Sequence, residues 1–177
     1  MDVAAQVSDS GSRPLPTSAR ITVIGVGNAF RRDDGVGLAV VARLKERAAD
    51  GALPAGIRLA CRDGDPGRLI GLWEEAGLAV VVDAAHTGAG CPGRIHRWEP
   101  DGRTVGGAGA ASSHGLGLGE AIELARALGR MPGRLVVYAV EGADTSLGTG
   151  LSPAVASAVG PLAERVTEEV ALHLLGP

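Results

Sequence analysis

Two neighbouring acids, Asp33 and Asp34, stand among glycines in the segment Gly25-Val-Gly-Asn-Ala-Phe-Arg-Arg-Asp-Asp-Gly-Val-Gly37. A dinucleotide-binding loop is excluded because the third glycine of its fingerprint would fall at Phe30. Two carboxylates at a helix start would also repel a pyrophosphate. Helix capping accounts for one acid more readily than for two. Gly35 and Gly37 would each cost about 1 kcal/mol inside a helix, which suggests close approach of another chain or a ligand.

A third acid, Asp83, ends the most apolar run of the chain, in Val80-Val-Val-Asp-Ala84. In an open parallel sheet, the functional crevice lies at the carboxyl ends of the strands. A buried strand that ends in an acid therefore places that acid at the crevice. The alternative is that Asp83 only caps a turn.

The candidate nitrogen ligand is His114, in Ala111-Ser-Ser-His-Gly115. If Ser113 caps the helix that follows, His114 lies in its first turn, where the helix dipole disfavours the imidazolium ion. The ring then stays neutral, as metal binding requires. His86, three residues after Asp83, is the competing histidine.

Asp34, Asp83 and His114 are predicted to lie on three loops at one edge of the sheet. Two oxygens and one nitrogen suit a divalent transition metal, and three ligands with an open position are typical of catalytic sites. An aspartate could instead act as a general base. Covalent catalysis gains no support, because the chain has no Gly-x-Ser-x-Gly elbow and no cysteine with an obvious histidine partner.

Alternating strands and helices must position these residues. The predicted strands are 20–24, 57–61, 78–82, 94–99 and 134–139; the predicted helices begin near Asp34, span 68–76 and 116–128, and follow a Ser152-Pro153 start, with a loop at 140–150. This order predicts a three-layer α/β/α sandwich around a five-stranded, mostly parallel twisted sheet. The continuous apolar run 78–82 predicts a central strand, and the alternating run 94–99 predicts an edge strand.

The chain has 177 residues, of which 45% are hydrophobic and 21% charged, enough for one domain with a buried core. We expect that domain over 20–177, after a disordered tail at 1–19. A net charge of −3 and dispersed aromatic residues argue against a nucleic-acid partner. Short apolar runs, no signal peptide and only two cysteines predict a cytoplasmic protein with no membrane partner.

The motifs occur in a family's order. Gly25-Val-Gly-Asn28 is followed by Asp33-Asp-Gly-Val-Gly37, Val82-Asp-Ala84, Ser113-His-Gly-Leu116 and Gly150-Leu-Ser-Pro153. With this series the chain resembles the hydrogenase maturation endopeptidases over nearly everything beyond the tail. The resemblance implies a metal-dependent endopeptidase that removes the C-terminal extension of a [NiFe] hydrogenase large-subunit precursor after nickel insertion.

The resemblance also implies roles for particular residues. Asp34, Asp83 and His114 would be the metal ligands and the catalytic residues, with the nickel, or another divalent metal in its place, supplied by the substrate. Asn28 and Asp63 would contact the substrate. The loop that begins at Asp63 differs from the Gly-Gly-Thr version common in the family, which leaves the partner hydrogenase open. We expect a monomer.

Two rival functions fit the same residues. One is a nickel-checkpoint protein or chaperone that binds the large subunit without cutting it. The other is a metallohydrolase that acts on another protein. Cleavage of a nickel-loaded precursor separates the main hypothesis from both.

The tail yields the first testable prediction. Deleting residues 1–18 should leave the melting temperature nearly unchanged, because their composition offers no apolar periodicity to bury. Thermal unfolding followed by circular dichroism measures this. A fall of more than about 5 °C would show that the tail packs against the domain.

Overall fold

The computed structural model describes residues 20–86, 90–100, 113–114 and 116–176, and the predicted tail lies outside these ranges. The predicted strands and helices occur along them in the predicted order. The elements are β1 (Ile21–Val26), α1 (Val36–Ala49), β2 (Arg58–Arg62), α2 (Pro66–Trp73), β3 (Leu78–His86), β4 (Ile95–Trp98), β5 (Ser113–His114), α3 (Leu116–Ala127), β6 (Arg134–Glu141) and α4 (Pro153–Leu175). None of the helices in these ranges is both long and apolar enough to span a membrane.

The main sheet has the strand order β2-β1-β3-β6-β4. The first four of these strands are parallel, and β4 runs antiparallel to β6 at one edge. The predicted five-stranded, mostly parallel sheet is therefore confirmed, with 78–82 at its centre and 94–99 at its edge. The short β5 pairs antiparallel with the end of β3 and was not predicted.

The neighbouring strands β3 and β6 both extend beyond their predicted ends. β3 continues to His86 because β5 and β6 both supply hydrogen-bonding partners beyond Asp83. β6 continues to Glu141 beside that extension, so the prediction of a loop over 140–150 is wrong at its first two residues. The extra length depends on neighbouring strands, and the local sequence does not show it.

Two separate cores cover the two faces of the sheet. Val80 and Val82 of β3 pack in the core shared with α1 and α4, whereas Ala79 and Val81 pack in the core shared with α2 and α3. Both faces of β3 are therefore buried, which explains why its sequence is continuously apolar rather than alternating.

Ion pairs connect the edge strand β4 to α4 and to β6. On α4, the Glu169 carboxylate is buried and lies 2.9 Å from both the Arg97 Nε and an Arg134 guanidinium nitrogen. The Tyr138 hydroxyl donates to the same carboxylate over 3.1 Å. Hydrogen bonds from Arg134, joined by those from Arg97, lower the pKa of Glu99 to about 2. The polar alternation of this strand therefore serves an organised charge network.

The start of α1 crosses the sheet at backbone contact. A Cβ atom on Gly37 would overlap with the carbonyl oxygens of Val26 and Val82, and one on Gly25 would overlap with the carbonyl of Gly37. Of the two glycines that suggested a close approach, Gly37 makes it, to the chain's own backbone, whereas a Cβ on Gly35 would meet its nearest atom at an ordinary 3.6 Å. The close approach of Gly37 brings the 3₁₀ turn Arg32–Gly35, just before α1, against the carboxyl ends of β1 and β3.

We predict that Gly37→Ala lowers the free energy of unfolding by about 3 kcal/mol, because two backbone carbonyls must move to admit the methyl group. Gly119→Ala in α3 is the matched control, since a Cβ there meets no atom within 4 Å. The control should change stability by about 1 kcal/mol at most, and in the stabilising direction. Urea denaturation measures both. Equal midpoints for the two variants would contradict the close approach.

Candidate active site

Asp34 and Asp83 meet where β1 and β3 reach the carboxyl edge of the sheet. Asp34 belongs to the 3₁₀ turn between β1 and α1, and its Oδ2 accepts the backbone N–H of Asn28 over 2.8 Å. The Asn28 side chain in turn accepts the N–H of Phe30 over 2.9 Å. Asn28 therefore fixes the loop that orients Asp34; its predicted contact with the substrate stays a prediction.

Asp83 is nearly inaccessible to water, with 4% of its surface exposed. Its Oδ1 accepts the N–H of Ala84 over 2.8 Å. Burial raises the pKa of the Asp83 carboxyl to about 7; the N–H of Ala84 opposes this effect, and the negative charge of Asp34 adds to it. The two acids are therefore close enough to interact electrostatically. Asp83 lies inside β3, so the prediction that it ends the strand or caps a turn is wrong.

The structure places the His114 backbone beside the same part of β3. In β5, His114 is paired with Ala85, two residues beyond Asp83, and Ser113 is paired with His86. The predictions that Ser113 caps α3 and that His114 lies in its first turn are wrong, because both residues form strand pairs and α3 begins at Leu116. Of the three proposed ligands, Asp34 alone lies outside a strand.

The side chains of His86 and His114 are not among those that the structure describes. Among the side chains that are described, no three of His, Cys, Asp and Glu are grouped to hold a metal ion. The structure thus brings together the two carboxyls and the backbone of the proposed histidine. The full ligand set of Asp34, Asp83 and His114 stays a prediction.

Asp33 points away from this pair into the protein and is fully buried. Its Oδ1 accepts the backbone N–H of Ser152 over 2.6 Å. Its Oδ2 accepts the N–H groups of Ala143 and Asp144 over 2.8 and 3.0 Å, and the Ser152 hydroxyl over 2.9 Å. Four donors from the segment after β6 therefore converge on one carboxylate.

These bonds correct the capping hypothesis. The N-cap of α1 is Gly35, which has no side chain, so neither Asp33 nor Asp34 caps that helix. Ser152 does occupy the N-cap position of α4 with Pro153 after it, as predicted, but its side chain makes no capping bond and donates to Asp33 instead. The two adjacent acids have different roles: Asp33 joins loops, whereas Asp34 accepts the N–H of Asn28 and its charge contributes to the raised pKa of Asp83.

A further buried acid, Glu141, was missed by the sequence analysis. Glu141 ends β6 opposite Ala85, and its Oε1 lies 2.6 Å from the His96 Nε2. The N–H of Cys91 donates to its other oxygen. The hydrogen bond from His96 is the largest contribution to the lowered pKa of Glu141. The signal was present, since this acid also follows a run of buried apolar residues.

The loop after β2 carries the second residue predicted to contact the substrate. Asp63 is exposed and lies 3.4 Å from an Arg68 guanidinium nitrogen. Asp65 caps α2 by accepting the N–H of Arg68 over 2.8 Å, and Pro66 stands at the first turn. The departure from the Gly-Gly-Thr loop is therefore a well-formed helix start, and Asp63 is left facing solvent.

Known proteins share this architecture. A family profile described as HycI, hydrogenase maturation protease, matches residues 64–169. The hydrogenase expression/formation protein HupD of Rhodobacter capsulatus is 30% identical over 151 residues, covering 84% of this chain and 70% of that protein.

Two solved structures extend the comparison. The [NiFe] hydrogenase maturation protease HycI of Thermococcus kodakarensis KOD1 superposes with a TM-score of 0.63 at 27% identity, over 86% of this chain and 93% of that one. The hydrogenase maturating endopeptidase HybD of E. coli gives 0.67 at 24% identity, over 89% and 94%, and supports the fold alone.

The five-stranded sandwich and its relatives define an α/β endopeptidase. Within that class, the chain belongs to the hydrogenase maturation protease family.

The four hydrogen bonds to the Asp33 carboxylate yield a stability prediction. Asp33→Asn puts an amide nitrogen where an N–H or O–H already points, so at least one buried donor loses its acceptor. We expect the free energy of unfolding to fall by about 2–3 kcal/mol at neutral pH. Chemical denaturation of both proteins measures the difference.

The same difference should depend on pH. Burial raises the pKa of Asp33, but the hydrogen bonds from Ser152, Ala143 and Asp144 outweigh burial, and the net pKa is lowered. A lowered folded-state pKa contributes stability above the unfolded value of about 4, and that contribution is lost as the pH falls through the folded pKa. The gap between wild type and variant should therefore narrow in acid. A gap that widens in acid would contradict the assignment.

Proposed function

We propose that this protein removes the C-terminal extension of a [NiFe] hydrogenase large-subunit precursor after nickel has been inserted. One observation carries the proposal: Asp34 and Asp83 converge at the carboxyl edge of the sheet, where the backbone of His114 lies beside β3. The nickel belongs to the substrate, and this site recognises it. Family membership supports the proteolytic chemistry.

The donor types suit such a role. Carboxylate oxygens and an imidazole nitrogen are ligands for divalent transition metals, and three protein ligands leave positions open. A cation between two nearby carboxylates also relieves their mutual repulsion, which is strong where Asp83 is shielded from water. A large subunit that contains nickel would therefore bind better at this site than one without it.

Two exposed apolar side chains near the acids favour a protein as the substrate. Phe30 and Leu147 expose 71% and 83% of their surface. They stand on neighbouring loops, because the N–H of Gly148 donates to the carbonyl of Phe30 over 3.0 Å. Large apolar side chains clustered beside a polar site are typical of surfaces that contact another protein.

The chain's residues then divide the work. Asp34, Asp83 and His114 dock the nickel centre and place the scissile bond of the extension next to the acids. One of the two aspartates accepts the proton of the attacking water as a general base. Asp33 holds the turn that carries Asp34 in position through its hydrogen bonds to the loop that leads into α4.

The test is cleavage of purified, nickel-loaded precursor, followed as a gel shift. We expect His114→Ala to slow cleavage by about 100-fold, because two carboxyls alone hold the nickel centre poorly. His86→Ala is the matched control: it is paired with β5 one residue from His114 in the register, yet it has no proposed ligand role. Circular dichroism checks that both variants fold.

Three outcomes would overturn parts of the proposal. Normal cleavage by His114→Ala together with loss in His86→Ala would move the nitrogen ligand to His86. Equal cleavage of precursor with and without nickel would remove nickel recognition. Binding of the loaded precursor by wild type without any shift would favour the non-cleaving checkpoint protein.

A further inference from the structure

A positively charged cavity opens beside β2, at the sheet edge opposite β4. It has a volume of about 580 Å³ and is lined by Arg58, Arg62, Arg68, Cys61, Asp63 and Leu72, among others. Three guanidinium groups therefore share one cavity with a single carboxylate. Because the whole chain has a net charge of −3, this concentration of positive charge is local.

The arginines of this cavity are only partly neutralised. Asp63 lies 3.4 Å from Arg68, with both side chains largely exposed. Within the described parts of the chain, Arg58 and Arg62 form no ion pair, and Arg62 donates one bond, to the carbonyl of its neighbour Cys61. By contrast, the arginines at the other sheet edge are held by Glu99 and Glu169. Guanidinium groups left without a carboxylate are suited to receive one from a partner.

The backbone beside these arginines is also open. β2 is the last strand of the sheet order and pairs on one side with β1. No strand among the described residues covers its other side. The unpaired N–H and C=O groups of such an edge can hydrogen-bond to an extended peptide, which then adds to the sheet as a further strand.

The cavity continues into a groove along α2. A second cavity of about 410 Å³ lies towards the amino end of the sheet and shares Arg58, Gly71 and Leu72 with the first. It is also lined by Glu74 and Glu75, which pair with Arg130 and Arg20, so the excess of positive charge is confined to the first cavity. The junction is open at Gly71, because a Cβ there would meet no atom within 4 Å. We call the two cavities together the β2 groove.

The β2 groove ends next to the acid pair. The last arginine of the groove is Arg62, and its backbone carbonyl accepts the N–H of Gly27 over 3.0 Å. Gly27 in turn lies against the backbone of Asp34, since a Cβ on it would overlap with the Asp34 carbonyl. Two successive backbone contacts through Gly27 therefore join the end of the groove to the turn that carries Asp34.

We propose that the β2 groove binds an extended, acidic segment of the protein substrate. The segment's backbone pairs with the free edge of β2, and its carboxylates pair with Arg58, Arg62 and Arg68. This inference rests on the proposed function, because it takes the occupant to be part of the precursor. It adds a recognition surface outside the acid pair, one that selects among precursors by their charge.

The first test uses a labelled, capped peptide of alternating Glu and Val residues, with binding to the full chain followed by fluorescence anisotropy. We expect the double variant Arg62→Gln, Arg68→Gln to weaken binding by about tenfold or more. Added salt should weaken wild-type binding, because the contacts are ion pairs near the surface. Arg165→Gln is the matched control: this exposed arginine lies on α4, on the other face of the sheet, and should bind as wild type does.

A second variant leaves every arginine in place. Gly71→Glu puts a bulky negative side chain into the junction of the groove, and it should weaken binding as strongly as the double variant. Melting temperatures show that each variant folds. Tight binding of a matching Lys and Val peptide, or unchanged binding by both groove variants, would overturn the proposal. Binding of inorganic phosphate without binding of the peptide would replace it with a small-anion site.

Cleavage kinetics separate this inference from the proposed function. With nickel-loaded precursor, the groove variants should raise KM by about tenfold and leave kcat close to wild type, since they remove binding remote from the reacting atoms. If wild type cuts the precursor and the groove variants do so with unchanged KM, the groove is wrong and the function stands. If wild type binds the acidic peptide through its arginines but cuts no precursor, the function is wrong and the groove remains a protein-binding surface.

Discussion

The buried carboxylate of Asp33 is the interaction on which the geometry of the site depends. It collects donors from Ala143, Asp144 and Ser152 and so joins the turn after β1 to the segment that leads into α4. A buried carboxylate would cost several kcal/mol if it lacked partners. With its donors in place the cost is offset, and the turn that carries Asp34 has one position relative to the sheet.

Backbone contact supplies the second half of this constraint. Gly37 lets the first turn of α1 touch the carbonyls of β1 and β3, which a larger residue would hold apart. The backbone contacts of Gly37 and the hydrogen bonds to the Asp33 carboxylate therefore both restrain the turn that carries Asp34. Together they hold the half-buried Asp34 near the buried carboxyl of Asp83, an arrangement that repulsion alone would oppose.

The two edges of the sheet are treated differently. At the β4 edge, Arg97 and Arg134 share the buried carboxylate of Glu169, so the charges of that edge are neutralised within the protein. At the β2 edge, Arg58 and Arg62 lie beside an open backbone and an open cavity. An endopeptidase needs a surface for its protein substrate beyond the reacting atoms, and the open edge offers backbone and charge together.

The sequence by itself determined the architecture and the identity of the acids. Alternation of apolar runs and amphipathic helices is a local signal, and the contrast between 78–82 and 94–99 correctly separated the centre of the sheet from its edge. The motif order also identified Asp34 and Asp83 as candidates, and the structure brings them together.

Only the tertiary structure decided which of the adjacent acids Asp33 and Asp34 is fully buried. It also decided how far β3 and β6 extend and which edge of the sheet stays open. The donors to Asp33 come from residues 110 or more positions later in the chain, so no local pattern reveals them. Likewise, the role of Arg62 depends on β2 being the last strand, and strand order arises from packing between distant segments. Local periodicity reports which face of an element is buried; it does not report what that face, or its edge, will meet.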